Sequence, residues 1–213
     1  MQCRLYASII VQRGESMKRI RFRAVIVLAI LFSFYNCRSA QHFDIQVIAK
    51  SGISQPGKDK YVVFPFEMAE ALKQNEVVAN RRKNIEARNR EKAELALVRT
   101  GLTVLERSKV DKLLNEMTLS KTGITESDGL NIGKLLNSNY AFFGRITNYN
   151  VVRRGTRVRF IAEVIVKAVD IESGVIAWEA IIKGHMPFNN GEQTILDAEN
   201  AMYEQFSKKL TDL

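Results

Sequence analysis

Apolar residues in the second half of the chain alternate with polar ones in a way that predicts adjacent β-strands. Positions 158–168 and 176–182 carry an apolar side chain at every second residue, and a period of two places such residues on one face of a strand. Another apolar strand precedes them at 140–149. Short turns near Arg154-Gly155-Thr156 and at Glu172-Ser173-Gly174 join the three segments. The pattern therefore predicts a three-strand meander.

The stretch 101–116 predicts a short buried strand that turns directly into a helix, and the other elements are placed relative to it. Leu102, Val104 and Leu105 supply the apolar strand. Ser108 suits the N-cap of the helix, with Asp111 completing a capping box. The helix is predicted from apolar residues that share one face, which are Val110, Leu113, Leu114 and Met117.

The remaining patterns complete an α/β domain over residues 61–213. A first strand is predicted at 61–66, stopped by Pro65, which cannot donate to a ladder. Residues 67–100 are compatible with one long helix or with a loop followed by a helix from about Asn84. A short helix capped by Ser127 and a closing helix from about Glu192 follow. We therefore expect a mixed sheet with a three-strand C-terminal meander, flanked by helices, in a single domain.

In the predicted capped helix, Ile132, Leu135 and Leu136 are expected to face the core. The closing helix carries its apolar residues along one stripe, which consists of Ile195, Ala198, Met202, Phe206, Leu210 and Leu213.

The N-terminus resembles an export signal that precedes this domain. Residues 18–23 are rich in Lys and Arg, and residues 24–35 form an apolar run that is too short to span a bilayer as a helix. The run ends at Phe34-Tyr35-Asn36-Cys37, which resembles the cleavage box of bacterial lipoproteins. Residues 1–36 are therefore predicted to be a signal peptide, with 1–16 upstream of a second start codon at Met17.

Lipoprotein processing would place a lipid on Cys37 and leave a tether over residues 37–60. The chain has only one other cysteine, Cys3, so the mature protein would hold no disulfide. The tether is mostly polar and rich in turns, although Ile45 to Ala49 would suit a short strand.

Charge gives little support to a nucleic-acid partner. The net charge is +9, and six basic residues against Glu15 lie within positions 1–37, so more than half of the excess belongs to the predicted signal. The densest positive cluster of the remaining chain is at a hairpin tip and consists of Arg153, Arg154, Arg157 and Arg159. No aromatic residues interleave with these arginines, as they do on stacking platforms for single strands.

The arginines at the hairpin tip, together with Glu106 and Arg107 at the strand-to-helix corner, are the candidate interface residues. The tip would contact lipid head groups, anionic glycans or a protein partner, unless it is simply solvated.

No catalytic constellation is evident in the sequence. The two histidines, His42 in the tether and His185 after a strand, are too few for a histidine-rich metal site. Glu106, Asp111 and Glu116 have ordinary helix-surface or capping roles and no convergent nucleophile. Residues 129–135 resemble a phosphate-binding loop, but they lie within a predicted helix and have one residue too few between the two glycines. We expect a protein that is not an enzyme, with no metal and no cofactor.

The order of parts resembles a known family. The segments that carry the resemblance are 62–66, 104–107 leading into 113–116, 132–136 before 140–146, and 169–178. Together they are similar to the periplasmic domain of the curli-secretion channel lipoproteins, the CsgG family. The same domain type recurs in lipoprotein activators of peptidoglycan synthases and in flagellum-associated envelope lipoproteins.

The resemblance implies a non-enzymatic lipoprotein that is anchored to the outer membrane and faces the periplasm. It would act as a component of curli-type secretion or of cell-envelope assembly, through self-association or an envelope protein partner. The alternative is a lipoprotein regulator that docks onto a periplasmic peptidoglycan synthase. A periplasmic ligand-binding module is a third class and would require a lined cavity.

Overall fold

The computed structural model describes residues 42–49, 59–74, 76–117, 124–154, 157–189 and 195–212, all of which belong to one compact unit. The strands are β1 (His42–Ala49), β2 (Lys60–Val63), β3 (Glu67–Met68), β4 (Thr103–Val104), β5 (Tyr140–Arg154), β6 (Arg157–Asp170) and β7 (Ile176–Asn189). The helices are α1 (Glu70–Lys73), α2 (Glu76–Ala79), α3 (Arg82–Arg99), α4 (Arg107–Glu116), α5 (Glu126–Leu135) and α6 (Ile195–Thr211).

All seven strands form one mixed sheet, which confirms the predicted fold class. The order is β1-β7-β6-β5-β2-β4, and β3 pairs with β5. Strands β1, β7, β6 and β5 are antiparallel neighbours, whereas β2 and β3 run parallel to β5 and β4 runs parallel to β2. The predicted three-strand meander is therefore present as β5, β6 and β7, in the middle of the sheet.

The main core lies between one face of the sheet and the helices α3 and α6. The alternating residues of β6 predicted to share a face, from Val158 to Ala168, are all buried, and those from Phe160 onward belong to this core. Trp178 of β7 packs at the centre, with its ring centroid 5.6 Å from that of Phe142 and 6.4 Å from that of Phe206. The apolar stripe of the closing helix supplies Ala198, Met202, Phe206 and Leu210, as predicted.

A smaller core lies on the opposite face, at the β2 end of the sheet. Val110 and Leu114 of α4 and Ile132 of α5 pack there against residues of the sheet, which are Val62, Phe64, Ala141 and Ile171. The predicted strand at 61–66 ends before Pro65, as expected: the backbone N–H of Phe64 still donates to the carbonyl of Phe142. Pairing with β5 resumes after the proline, at β3, which was not predicted.

A β-bulge in β5 decides which side chains reach the main core. The register with β6 shifts between Ile146 and Asn148. One extra residue in a strand moves every later side chain to the opposite face of the sheet. Ile146 is buried before the bulge and Tyr149 is buried after it on the same side. Thr147, the inserted residue, donates its hydroxyl to the carbonyl oxygen and to the carboxylate of Glu163, at 3.2 and 2.8 Å.

The predicted capping of the helix after the hub strand is wrong. Helix α4 begins two residues earlier, with Glu106 in the N-cap position and no side-chain cap. The Ser108 hydroxyl donates instead to Glu106 Oε1 at 2.6 Å, and Asp111 binds Arg90. The hub strand, β4, is only two residues long. Met117, which was predicted to lie on the apolar face of the helix, is exposed.

Two other helix predictions need correction. Helix α5 is capped by Thr125 rather than Ser127, in a capping box with Asp128. Leu135, predicted to face the core, is 68% exposed, whereas Ile132 and Leu136, four residues apart on one helix face, pack in the smaller core. Of the two alternatives for residues 67–100, the structure has the later helix, α3, preceded by β3 and two single-turn helices. The beginning of the closing helix before Ile195 lies outside the described residues.

Strand β1 extends the sheet into the segment expected to be a tether. Eight residues pair with β7 without a register shift, from His42 opposite His185 to Ala49 opposite Trp178. Phe43, Ile45 and Val47 pack on the main core. The optional short strand at Ile45–Ala49 is thus real and begins three residues earlier, since the alternation of apolar residues starts at Phe43.

Candidate interaction surface

The second face of the sheet is covered by helices at one end and is open elsewhere. Helices α4 and α5 pack over β2 and the first residues of β5. On β1, β6 and β7 the residues of this face are half-buried or exposed, from His42 to Ile48, Arg159 to Lys167 and Glu179 to Pro187. Antiparallel sheets commonly have one packed and one solvated face.

Rows of side chains cross this open face in register. One row joins Gln46, Ile181, Ile165 and Arg145 on the four antiparallel strands. The next row joins Asp44, Lys183 and Glu163, and the Lys183 Nζ atom is 3.3 Å from Glu163 Oε2. Opposite charges side by side stabilise cross-strand pairs in water. The open face is therefore suited to solvent, and exposure alone does not mark it as a binding site.

The outer edge of β1 is different, because the described residues give it little of the usual protection against strand pairing. β1 is the terminal strand of the sheet, and within the described ranges no strand pairs with its outer side. It has no proline, no lysine and no bulge, and only Asp44 is charged. Natural edge strands are normally short, bulged or charged, since unpaired N–H and C=O groups recruit other strands. At the opposite edge, β4 is only two residues long.

A cleft on the open face lies between the α5 N-terminus and the sheet. It has a volume of about 440 Å³, a size that suits a small ligand. Phe64 and Phe143 stack at its wall with ring centroids 5.1 Å apart, and Lys167 pairs with Glu126 beside them. The other charged lining residues are Glu67, Arg145 and Glu179. Three carboxylates and two basic groups line the cleft, so groups of both signs face any ligand there.

The corner residues Glu106 and Arg107 have different environments. Glu106 is exposed, whereas Arg107 binds Glu94 of α3, with Nη2 to Oε2 at 2.7 Å. This hydrogen bond and the neighbouring carboxylates raise the pKa of Arg107 above its ordinary value. Arg107 thus joins α4 to α3, a structural role, and Glu106 is the member of the pair that a partner could reach.

The carboxylates considered for acid–base chemistry do not converge. Asp111 binds Arg90 at 2.6 Å, and Arg90 also donates to the carbonyl of Val63. Glu116 is exposed beside Lys112 on the outside of α4. The imitation of a phosphate-binding loop lies inside α5, as predicted. Among the residues with described placement, no group of three or more His, Cys, Asp or Glu is arranged to hold a metal ion.

The other predicted site residues are placed only in part. Arg159 is exposed on the open face of β6, opposite Pro187 and Val152. Arg153, Arg154 and Arg157 lie in strands, but their side chains are outside the described residues, as are residues 155–156 of the turn. Cys37 and the whole signal segment are also outside them. None of the described helices is both long enough and apolar enough to cross a membrane.

A buried polar cluster that sequence reasoning missed joins α3, α6 and β5. The carboxylate of Glu199 is fully buried and accepts two hydrogen bonds from Arg88, both at 3.1 Å, and one from the Tyr149 hydroxyl at 2.7 Å. Burial, with the adjacent carboxylate, raises the pKa of Tyr149. The only sequence signal was a charged residue next to Ala198 in the apolar stripe of α6. The carboxylate at the centre of the cluster lies inside the domain, so we assign the cluster to stability.

Comparisons with known proteins give structural likeness only. No protein-family model matches the chain, and no curated protein matches it in sequence.

Three solved structures illustrate the likeness. A PelC dodecamer from Paraburkholderia phytofirmans is 12% identical, with 80% of this chain and 96% of that chain covered and a TM-score of 0.49. A lipoprotein from Neisseria meningitidis is 10% identical, with 73% and 99% covered and a TM-score of 0.46. The LpoB C-terminal domain from Escherichia coli is 13% identical, with 60% and 82% covered and a TM-score of 0.36. At these values the likenesses carry no argument about function.

Proposed function

We propose that the chain is a non-enzymatic, lipid-anchored protein of the bacterial cell envelope that assembles with copies of itself through the outer edge of β1. In this proposal it faces the periplasm from the outer membrane and serves curli-type secretion or envelope assembly. The observation that carries the proposal is the unprotected eight-residue edge of β1. The anchor and the compartment rest on the sequence around Cys37.

A second molecule of the same chain is the partner that suits the outer edge of β1 best. Two β1 strands related by a two-fold axis perpendicular to the sheet pair antiparallel and keep the same face of each sheet on the same side. The half-buried residues Phe43, Ile45 and Val47 would then continue one apolar surface across the junction. Pairing about Ile45 places Asp44 opposite Gln46 of the second copy, so no like charges meet.

The anchor and the edge lie close together in the sequence. Cys37 precedes His42 by five residues, and five residues span at most about 18 Å. A lipid on Cys37 would therefore hold β1 near the membrane surface, where anchored copies are concentrated in two dimensions. Such concentration favours pairing between edges that bind weakly in solution.

The anchor is tested by replacing Cys37 with serine. We expect the wild-type protein to sediment with membranes and the Cys37→Ser protein to be released, since an acyl chain contributes about 0.8 kcal/mol per buried CH₂ group. The measurement is fractionation followed by carbonate and salt washes. A Cys37→Ser protein that still sediments and resists both washes would show that the anchor is elsewhere.

The alternative role, as a regulator docked onto a peptidoglycan synthase, would use the same edge for a strand of a different protein. Native electrophoresis after mild detergent extraction distinguishes self-assembly from docking onto a synthase. Multiples of the mass of this chain support self-assembly, whereas a single complex that contains a synthase supports the regulator.

A further inference from the structure

The two histidines of the chain meet at one position of the sheet. The 213-residue sequence contains no others, and they are 143 positions apart, yet His42 of β1 is the register partner of His185 of β7. The sequence-based expectation placed His42 in a tether and His185 after a strand, and both placements are wrong. Both side chains line one groove of about 270 Å³ on the open face.

Their geometry suits a shared ligand. Directly opposed residues of antiparallel strands have Cβ atoms about 4.5–5.5 Å apart on the same face. Metal–imidazole bonds are about 2.0–2.1 Å long, so two imidazoles at this separation can each direct one ring nitrogen at a single ion between them. His42 is exposed and His185 is half-buried, which leaves the position above them open to solvent.

Two carboxylates lie close to the histidine pair. Asp44 and Glu163 line the same groove and occupy diagonal positions next to the histidine pair. Lys183 lies between them and binds Glu163 at 3.3 Å, and Arg159 occupies the other position diagonal to His185, so two basic groups balance the two carboxylates. Carboxylates near metal-binding histidines commonly accept the second ring N–H and orient the ring.

We propose that His42 and His185 form a surface site for a divalent transition-metal ion of the Zn²⁺ class. Imidazole is a preferred ligand for these ions, whereas Mg²⁺ prefers oxygen ligands. Two protein ligands are one fewer than catalytic zinc sites have. Water therefore completes the coordination, and the ion exchanges readily. This inference is independent of the proposed function.

The ion would fasten the terminal strand to its neighbour. One ligand lies on β1 and the other on β7, and the unfolded chain holds them far apart. Binding energy is therefore added to the stability of the folded state and to the pairing of β1 with β7.

The test is thermal unfolding of the full-length protein, purified in detergent, with Zn²⁺, with Mg²⁺ and with chelator. In a Cys3→Ser, Cys37→Ser background, which removes competing thiols, Zn²⁺ at ten times its Kd should raise Tm by about 3–6 °C. Mg²⁺ should have no effect. Hydrogen exchange of the β1 amides should slow in Zn²⁺ and return to its original rate with chelator.

The single variants His42→Asn and His185→Asn test whether these two residues are the ligands. The Tm of each variant with Zn²⁺ is compared with the Tm of the same variant without metal, so that a loss of stability does not obscure the result. Each substitution should abolish the Tm shift and the slowed exchange of β1. An Asn148→Ala variant, which changes another residue lining the same groove, should keep both. A shift that survives either histidine substitution, an equal shift with Mg²⁺, or no shift at all would overturn the proposal.

Discussion

Replacing Glu199 with alanine is expected to lower the free energy of unfolding by about 3 kcal/mol. The carboxylate is fully buried and binds Arg88 and the Tyr149 hydroxyl, with Lys92 at 4.0 Å. Its loss removes the carboxylate that accepts from the guanidinium and from the phenol, although Arg88 still donates to the Tyr149 hydroxyl at 3.1 Å. The expected value is at the lower end for a broken buried ion pair because about a third of the Arg88 side chain is exposed and retains access to water.

Denaturant unfolding measures this loss as a lower midpoint with an unchanged slope. Glu204 is the matched control, since it lies on the same helix and pairs with Lys208 at 2.8 Å on the surface. Glu204→Ala should leave the midpoint where it is, because exposed ion pairs contribute little. If Glu199→Ala unfolds at the wild-type midpoint, the cluster does not stabilise the junction of α3, α6 and β5.

Gly144→Val is also expected to lower the free energy of unfolding by about 3 kcal/mol, because the added side chain overpacks the core. A Cβ atom at position 144 would lie 2.3–2.4 Å from three ring carbons of Phe66. The Phe66 ring is buried and packs against Phe142, with ring centroids 6.2 Å apart. It therefore has little room to move, and the backbone of β5 or β3 must shift instead.

A double-mutant cycle separates this contact from a general effect of valine. Phe66→Ala alone should lower the free energy of unfolding through the cavity it leaves, but Gly144→Val should cost less in the Phe66→Ala background. Asn150→Val, an exposed position on the same strand, controls for the change in side-chain type. Additive losses from Gly144→Val and Phe66→Ala would mean that the two positions do not compete for one space.

Periodicity predicted the parts of the fold in which local pattern and tertiary packing agree. The alternation along β6 and β7 corresponds to the buried face because these central strands have one packed and one open side. The stripe of α6 was equally clear, because a single helix face meets the sheet. Elements of two to four residues, such as β3, β4 and α1, carry too few positions to show a period.

Helix caps were less predictable, since several residues near each start had suitable side chains. Thr125 and Ser127 both suit an N-cap, and the structure uses Thr125 because Asp128, three residues on, completes the reciprocal pair. At α4, Glu106 occupies the N-cap position in place of Ser108, and Arg90 holds Asp111, the expected capping-box partner, in an ion pair. That contact joins residues 21 positions apart, which no local pattern contains.

The features most relevant to function depend on long-range register. Strand β1 was recognisable only in part, because its polar residues resemble those of a tether until β7 supplies the pairing. Likewise, the sequence shows His42 and His185 as isolated residues, and only the sheet brings them together. The candidate residues at the corner and the hairpin tip remain predictions, apart from Arg107, which Glu94 holds within the domain.

The unprotected edge of β1 is tested most directly by a lysine placed on it. Ile48 is 60% exposed on β1 and lies opposite Glu179 of β7. Ile48→Lys therefore adds an edge charge that opposes strand pairing, while Glu179 offsets that charge within the folded chain. Leu135→Lys is the control, an equally exposed apolar residue that is not on the edge.

The decisive measurement is the native mass of the lipidated protein after mild detergent extraction, for the wild type and the two lysine variants. Self-assembly through β1 predicts that the wild type and Leu135→Lys migrate as multiples of the chain mass, and that Ile48→Lys migrates as a monomer with an unchanged Tm. A monomeric wild type, or an Ile48→Lys protein that retains the wild-type oligomer, would contradict assembly through this edge.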